Sequence, residues 1–162
     1  MEQGQKEEGL MQIRQGLMDH RAAGSELLVP YFLTLLAEAY GRLNQVEEGL
    51  NVLNDGVEVI ERRGERWYEA ELHRLKGELL LQQSPDNASE AVSCFQQAVT
   101  IAQNQSAKSL ELRASTSLAK LWQQQEKSKE AYDLLSPIYN WFTEGHDTAD
   151  LIDAKALLDE LE

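Results

Sequence analysis

Residues 5–10 read Gln-Lys-Glu-Glu-Gly-Leu, and residues 45–50 read Gln-Val-Glu-Glu-Gly-Leu, so the second stretch nearly copies the first 40 positions later. A fixed period of this size is typical of repeat proteins. Each unit of such a protein is a small supersecondary piece that buries its apolar face only by stacking on its neighbours. The copied stretch therefore predicts a stacked array of similar units.

The same period continues along the chain in three positions that recur together. A small residue is followed four positions later by a large apolar residue and, three positions after that, by another small or apolar residue. Successive sets lie 40, 42 and 40 residues apart: Gly9/Ile13/Gly16, Gly49/Leu53/Gly56, Ala91/Phe95/Ala98 and Ala131/Leu135/Ile138. A repeat array with this signature favours a binding scaffold over an enzyme.

The hydrophobic pattern predicts that the units are helical. Apolar residues recur at spacings of three and four, as in Leu33, Leu36 and Tyr40, which is typical of amphipathic helices, and no alternating strand pattern is found. The predicted fold class is all-α, an α-α superhelix of about eight helices with 40–42-residue repeats and a C-terminal capping helix. The helices are expected at about 5–21, 26–42, 46–63, 66–83, 88–104, 107–124, 128–143 and 148–161.

Glycines punctuate the predicted units. Gly24, Gly64 and Gly145 are expected to end helices, because glycine adopts the left-handed conformation of a helix stop at low cost. Gly4 and Asn44 are expected to mark turns inside units. We predict a single domain over residues 1–162, divided into a half repeat (1–24), three repeats (25–64, 65–106 and 107–146) and the capping helix (147–162).

Composition narrows the possible partners. The 162-residue chain has a net charge of −13 and one cysteine, Cys94, so it forms no intramolecular disulfide. Because binding to phosphate backbones or anionic lipid depends on clustered Lys and Arg, we expect neither nucleic acid nor membrane as a partner. The sequence has no signal peptide pattern, so a cytoplasmic location is expected.

Residues that could carry chemistry are scattered. His20, His73 and His146 lie in different predicted units, whereas zinc needs three or four converging ligands. His73 falls on the inward half of its predicted helix, where we interpret it as a packing residue, and Cys94 as a half-buried structural thiol. The sequence therefore predicts no catalytic residue, no metal and no cofactor.

The spacing of small and bulky residues resembles tetratricopeptide repeats. A small residue, a bulky one three later, a small one nine further and a bulky one four further appear as Ala37/Tyr40/Gly49/Leu53 and as Ala119/Trp122/Ala131/Leu135. Residues 69–80, 108–114 and 141–148 are also similar to the C-terminal repeat region of bacterial multidomain ATPases linked to class III adenylate cyclase domains. The chain lacks a phosphate-binding glycine loop, so no activity is carried over.

The tetratricopeptide resemblance implies a concave binding groove lined by the first helix of each unit. The groove candidates that it marks are Tyr31, Thr34, Glu38, Glu71, Arg74, Glu78, Arg113, Thr116 and Lys120. Their mixed charge fits an extended polar partner read by several salt bridges, or simply a solvated inner face. The expected partner is a protein or peptide, and the alternative is a sensory module that binds a small ligand or peptide.

The N-terminal half repeat suggests self-association. Its predicted helix carries one apolar stripe of Leu10, Ile13 and Leu17, and another of Met11 and Met18. Residues 1–24 carry three basic and four acidic groups (net −1), whereas residues 130–162 carry one basic and nine acidic groups (net −8). We therefore expect the N-terminal helix to pair with a second copy of the chain, as in a homodimer, or with an upstream part of a larger protein.

Overall fold

The computed structural model describes residues 2–24, 27–64 and 66–162, apart from the side chains at positions 2, 3, 5 and 6. These residues form eight α-helices and one short 3₁₀ helix, and none of them lies in a strand. The helices are α1 (Glu2–Ala22), α2 (Val29–Arg42), α3 (Val46–Arg63), α4 (Glu69–Gln83), α5 (Ala88–Asn104), α6 (Lys108–Gln124), α7 (Ser128–Trp141) and α8 (Ala149–Leu161), with the 3₁₀ helix at Pro85–Asn87. The predicted all-α class is confirmed.

Most predicted helix boundaries agree with the structure, with two instructive differences. Helix α2 begins at Val29 and not at 26, because Pro30 favours the first turn of a helix and restrains the residues before it. Gly4 lies inside α1, so the prediction of a turn there is wrong. It was misplaced because the segment has few apolar residues to reveal the helical period.

Left-handed residues end the helices at regular intervals. Gly24, Gly64 and Gly145 have φ values of 73°, 78° and 76°, as expected for glycines that stop helices. Ser106 takes this role after α5 with a φ of 55°, and Asn44 takes it between α2 and α3 with a φ of 59°. The chain therefore reverses after each helix and forms a series of helical hairpins.

The even-numbered helices form one layer of the array. Each of them contacts the next, α2 with α4, α4 with α6 and α6 with α8, whereas no contact between odd-numbered helices occurs in the described part of the chain. Because the even-numbered helices are spaced more closely than the odd-numbered ones, the array curves toward the even-numbered helices. We call α2, α4, α6 and α8 the inner helices, which line the concave face, and α1, α3, α5 and α7 the outer helices.

Small residues let inner and outer helices approach closely. A Cβ atom at Gly77 of α4 would stand 2.5 Å from the ring of Phe95 on α5, and Phe95 is itself 1% exposed. A Cβ at Gly49 of α3 would stand 3.3 Å from the carbonyl oxygen of Ala37 on α2. Both glycines are thus in van der Waals contact with a neighbouring helix, and a side chain there would push the helices apart.

Hydrogen bonds also join equivalent turns of successive units. The indole Nε1 of Trp67 donates to the carbonyl oxygen of Leu27 at 3.3 Å, 40 residues earlier. At the opposite end of the inner helices, Nε2 of Gln82 donates to the carbonyl oxygen of Gly41 at 2.9 Å. These bonds fix the register of one unit on the next and place the carboxyl ends of α2 and α4 side by side.

His73 and Cys94 are both packed inside the array. Each is 8% exposed. Burial, followed by the positive charge of Lys76, holds the pKa of the His73 imidazole below its usual value. Burial raises the pKa of the Cys94 thiol, so the thiolate that a reactive cysteine needs is disfavoured.

The lowered pKa of His73 predicts a loss of stability in mild acid. Below the ordinary histidine pKa of about 6.5, the His73 imidazole binds a proton in the unfolded chain but stays neutral in the folded chain. The free energy of unfolding therefore decreases as the pH is lowered. The His73→Gln variant should lose less stability than the wild type between about pH 7.5 and pH 5.5 in urea denaturation. The exposed His146→Gln variant should follow the wild type, and equal pH slopes for all three proteins would contradict this account.

Candidate functional site

The predicted groove residues all lie on the inner helices, but they differ in accessibility. Thr34, Glu71, Arg74 and Thr116 are buried, whereas Glu78 and Lys120 are exposed. Tyr31, Glu38 and Arg113 are partly exposed. The concave face therefore has a buried polar centre and an accessible charged rim.

Glu71 is the centre of the buried part. Its carboxylate accepts two hydrogen bonds from Arg74 on the same helix, from Nη2 at 2.8 Å and from Nε at 2.9 Å. It also pairs with Nη2 of Arg113 on α6 at 2.9 Å. Because both guanidinium groups pair with the same carboxylate, Glu71 ties α4 to α6 through the middle of the concave face.

Arg74 keeps its positive charge although it is buried, because it pairs with Glu71. Burial alone would lower the pKa of the Arg74 guanidinium, but the hydrogen bonds and charge of Glu71 outweigh it and raise the pKa above its usual value. Arg74 is 7% exposed, and its remaining donor, Nη1, pairs with Glu78 and lies 3.3 Å from the Ser117 hydroxyl. Its charge is thus neutralised inside the protein.

The rim continues this pattern toward the C-terminal end. Nε of Arg113 lies 3.8 Å from Asp150 on α8, and Nζ of Lys120 lies 2.6 Å from Asp153 on the same helix. Helix α8 is therefore the fourth inner helix as well as the capping helix. The sequence reading missed Asp150, Asp153 and Ser117, although carrying the inner-helix pattern one unit further would have marked the two aspartates.

The two groove threonines are not available as donors to a ligand. Oγ1 of Thr34 donates to the carbonyl oxygen of Tyr31 at 2.6 Å, and Oγ1 of Thr116 donates to that of Leu112 at 2.8 Å. Such bonds to the preceding turn satisfy a buried hydroxyl within its own helix. Thr34 and Thr116 therefore belong to the wall of the concave face.

Aromatic residues close the amino-terminal edge of the inner helices. The rings of Tyr31 and Tyr68 meet edge to face with centroids 5.4 Å apart. Burial, and then the negative charge of Glu71, raise the pKa of the Tyr68 phenol, although Arg113 opposes this shift. Tyr68 thus joins the groove edge to the Glu71 network.

Among the hollows that open on the array, two differ in character. One, of about 100 Å³, lies among the charged rim residues, which are Arg74, Glu78, Arg113, Thr116, Ser117, Lys120, Asp150 and Asp153. The other, of about 340 Å³, lies between α1 and α2 and is mainly apolar; its lining is Gly9, Leu10, Ile13, Leu35, Glu38, Ala39 and Arg42. We call the second the N-terminal hollow.

The self-association candidates on α1 separate into two groups. Leu10 and Leu17 are 8% and 7% exposed and pack against α2, so these two belong to the core of the chain. Met11 and Met18 are 63% and 64% exposed. Ile13 is partly exposed and lines the N-terminal hollow.

No cluster of three or more His, Cys, Asp and Glu side chains with the arrangement of a metal site occurs within residues 2–24, 27–64 and 66–162. None of the helices in those ranges combines the length and the apolar character needed to cross a membrane.

Comparison with known proteins supports the architecture. A solved structure of a Podosopora anserina kinesin light chain-like protein with nearly identical TPR-like repeats is similar to the chain, with a TM-score of 0.65 and 19% sequence identity. The similarity covers 99% of this chain and 79% of the other. No family model and no curated protein matches the sequence. The chain therefore has a tetratricopeptide-like fold.

The Glu71 network predicts a large cost for removing its carboxylate. The Glu71→Ala variant leaves Arg74 and Arg113 without their shared partner, so we expect a loss of about 3–5 kcal/mol in the free energy of unfolding. The control is Asp133→Ala, which removes an exposed ion pair with Lys129 on α7 and should leave the free energy of unfolding almost unchanged. Urea denaturation measures both values, and a similar small loss for the two variants would contradict the proposed role of Glu71.

Proposed function

We propose that this protein is a non-catalytic interaction scaffold that binds an extended segment of a partner polypeptide along its concave face. The observation that carries the proposal is the division of that face into a buried centre and an accessible rim. The side chains of Glu78, Lys120 and Asp153 are 44%, 47% and 52% exposed, whereas those of Glu71 and Arg74 are 3% and 8% exposed. The rim can contact a partner while the centre keeps the surface in shape.

This arrangement favours binding because the surface is already formed. Because the face is already ordered before binding, little conformational entropy of the receptor is lost, and more of the interaction free energy appears as affinity. The rim presents both signs of charge, with Glu78 and Asp153 beside Lys120. Such a rim suits a polypeptide that carries polar and charged groups of both signs, and it selects partners through charge complementarity.

The sizes of the hollows on the concave face favour a polypeptide over a small ligand. The hollow among the rim residues has a volume of about 100 Å³, and the hollow between α2 and α4 has a volume of about 270 Å³. Pockets that enclose small ligands or cofactors generally have volumes of about 300–1,000 Å³ and a largely apolar lining. A small metabolite would remain mostly in solvent here, whereas an extended chain could run across several inner helices.

The chemistry of the buried residues supports a non-catalytic role. The Cys94 thiol has a raised pKa, and the His73 imidazole is buried with a lowered pKa and no carboxylate among the causes of that shift. For Cys94, burial outweighs the opposing charge of Lys76 and disfavours the reactive thiolate. If the resemblance of residues 69–80, 108–114 and 141–148 to the C-terminal repeats of bacterial multidomain ATPases holds, the scaffold would bring a partner to catalytic domains elsewhere in a larger protein.

The groove proposal predicts that Lys120→Glu weakens partner binding. A displayed library of flexible peptides is selected against the wild-type protein, and calorimetry measures the affinity of the enriched peptides. Reversing the charge at Lys120 should weaken binding about tenfold, or 1.4 kcal/mol, because the substitution adds a like charge beside Asp153 and removes the rim cation.

The matched control is Lys129→Glu on the outer helix α7. Lys129 is also exposed and also pairs with an aspartate at 2.6 Å. Because both variants replace a lysine by a glutamate, they have the same net charge. It should bind the peptides as tightly as the wild type. Equal losses for the two variants, or a library that yields no binding peptide, would contradict the proposed groove.

A further inference from the structure

The N-terminal hollow repeats a site that is filled elsewhere in the same chain. Each residue that lines the hollow has a counterpart 40 positions later on α3 or α4. The counterparts of Gly9, Leu10, Ile13, Leu35, Glu38, Ala39 and Arg42 are Gly49, Leu50, Leu53, Leu75, Glu78, Leu79 and Gln82. The surface between α1 and α2 is therefore built to the same plan as the surface between α3 and α4.

Helix α2 occupies the second of these surfaces. Ala37 of α2 shares a core cluster with Leu53, Leu75 and Leu79, and its carbonyl oxygen would lie 3.3 Å from a Cβ at Gly49. The next unit repeats the arrangement, because Gly77 of α4 would place a Cβ 2.5 Å from Phe95 on α5. An inner helix thus sits between its own outer helix and the next inner helix.

The N-terminal hollow is the corresponding site without such a helix. A Cβ at Gly9 would meet nothing within 4 Å, whereas a Cβ at its counterpart Gly49 would lie 3.3 Å from the carbonyl oxygen of Ala37 and 3.4 Å from Cβ of Tyr40, both on the occupying helix α2. The small residue that admits an inner helix is therefore present on α1, next to open space of about 340 Å³. The shape of the site specifies its occupant as an α-helix of the inner type.

Helix α8 has the complementary gap. Helices α2, α4 and α6 each contact the outer helix and the inner helix that follow them, whereas α8 contacts α6 and α7 within the described residues. On its free side Ile152 is 55% exposed and Ala156 is also exposed. These two residues have the spacing of Leu33 and Ala37 on α2, which are buried at 3% and 0%.

We propose that α8 of one copy of this chain occupies the N-terminal hollow of a second copy. Helix α8 and the second copy's α1 then form a helical hairpin across the interface, with the second copy's α2 as the next inner helix. Ile152 and Ala156 become covered by α1, and the open space next to Gly9 is filled.

The hollow carries one cation, Arg42, that can face the acidic end of an incoming α8. Gln82 donates to the carbonyl oxygen of Gly41 at the carboxyl end of α2, and its counterpart Arg42, whose side chain is 71% exposed, has the same position relative to the carboxyl end of an incoming α8. A cation stabilises the negative end of a helix dipole. The last turn of α8 also carries Asp159 and Glu160, followed by Glu162. Arg42 pairs with Glu38 at 2.6 Å within its own helix, and its exposed guanidinium is placed to meet the free carbonyl groups and these carboxylates as well.

Head-to-tail stacking agrees better with the structure than the symmetric pairings do. Two C-terminal ends would bring together segments of net charge −8 each, whereas the N-terminal segment has a net charge of −1. Two N-terminal ends would pack α1 against α1, although outer helices do not contact one another within the described part of the chain.

Head-to-tail contact has a consequence for oligomer size. Each copy carries one hollow and one free α8, so every added copy presents a new site, and the assembly grows as an open series or closes into a ring. A symmetric contact would instead stop at a dimer. Sedimentation of the wild-type chain at increasing concentration should therefore show masses that pass beyond the dimer.

Two variants block one end each. Gly9→Glu fills the hollow and adds a charge that repels the acidic end of α8, and the open space around Gly9 leaves the fold intact. Ile152→Glu places a charge on the free face of α8, where the side chain is already 55% exposed. Each variant alone should associate with itself at least about tenfold more weakly than the wild type in sedimentation equilibrium.

Mixing the two variants tests directly whether α8 of one copy meets the hollow of another. Gly9→Glu keeps its α8 face, and Ile152→Glu keeps its hollow, so an equimolar mixture should form a one-to-one dimer that cannot extend. Gly4→Glu and Met11→Glu are the controls, because both positions are exposed on α1 and outside the lining of the hollow; they should assemble like the wild type.

The proposal fails under three results. A wild-type chain that stays monomeric at its highest soluble concentration would overturn it. Self-association that survives in Ile152→Glu but is lost in Gly9→Glu or Met11→Glu would show N-terminal pairing instead. A mixture of the two blocked variants that remains monomeric while the wild type assembles would show that α8 and the hollow do not meet.

Discussion

The fold depends on the close approach of helices at residues that have little or no side chain. A Cβ at Gly77 would lie 2.5 Å from the ring of Phe95, which leaves no room for it, and a Cβ at Gly49 would lie only 3.3 Å from the backbone of α2. Because these residues recur with the repeat period, each inner helix finds the same kind of site between an outer helix and the next inner helix. The curvature of the array and the position of every inner side chain follow from this packing.

The concave face is held in shape by charges that the helices neutralise among themselves. Glu71 joins Arg74 to Arg113 across two inner helices, and Lys120 joins α6 to Asp153 on α8. A buried ion pair of this kind contributes more to the specificity of the arrangement than to net stability, since desolvation offsets much of its attraction. The exposed rim is left to read a partner, while the buried centre preserves the surface on which the rim is displayed.

The sequence was sufficient to predict the fold but not the accessibility of the groove. The period of Gly9, Gly49, Ala91 and Ala131 located the helices because small residues and apolar stripes report helix packing directly. That pattern marks Arg74 and Lys120 alike as inward residues, yet Arg74 is buried and the Lys120 side chain is 47% exposed. This difference in exposure depends on how neighbouring units stack, which cannot be predicted from the residue pattern of a single helix.

The two ends of the chain were harder to predict for the same reason. Helix α8 looks like a solubilising cap on its own, and only its contacts with α6 show that it is an inner helix with one free face. Leu10 and Leu17 belong to one of two apolar stripes on α1, and only their packing against α2 shows that this stripe, and not that of Met11 and Met18, lies in the core. The repeat pattern predicts which helices pack together within the array, but it does not show which helix faces at the two ends remain exposed.

The most direct test of this account compares one substitution at two glycines. Alanine at either site should gain about 0.5–1 kcal/mol from helix propensity. Gly9→Ala should therefore raise the free energy of unfolding by that amount, because nothing lies within 4 Å of its Cβ, whereas Gly77→Ala should lower it by about 1–3 kcal/mol through collision with Phe95. Urea denaturation that shows equal stabilisation by both substitutions would contradict the central role of close helix approach.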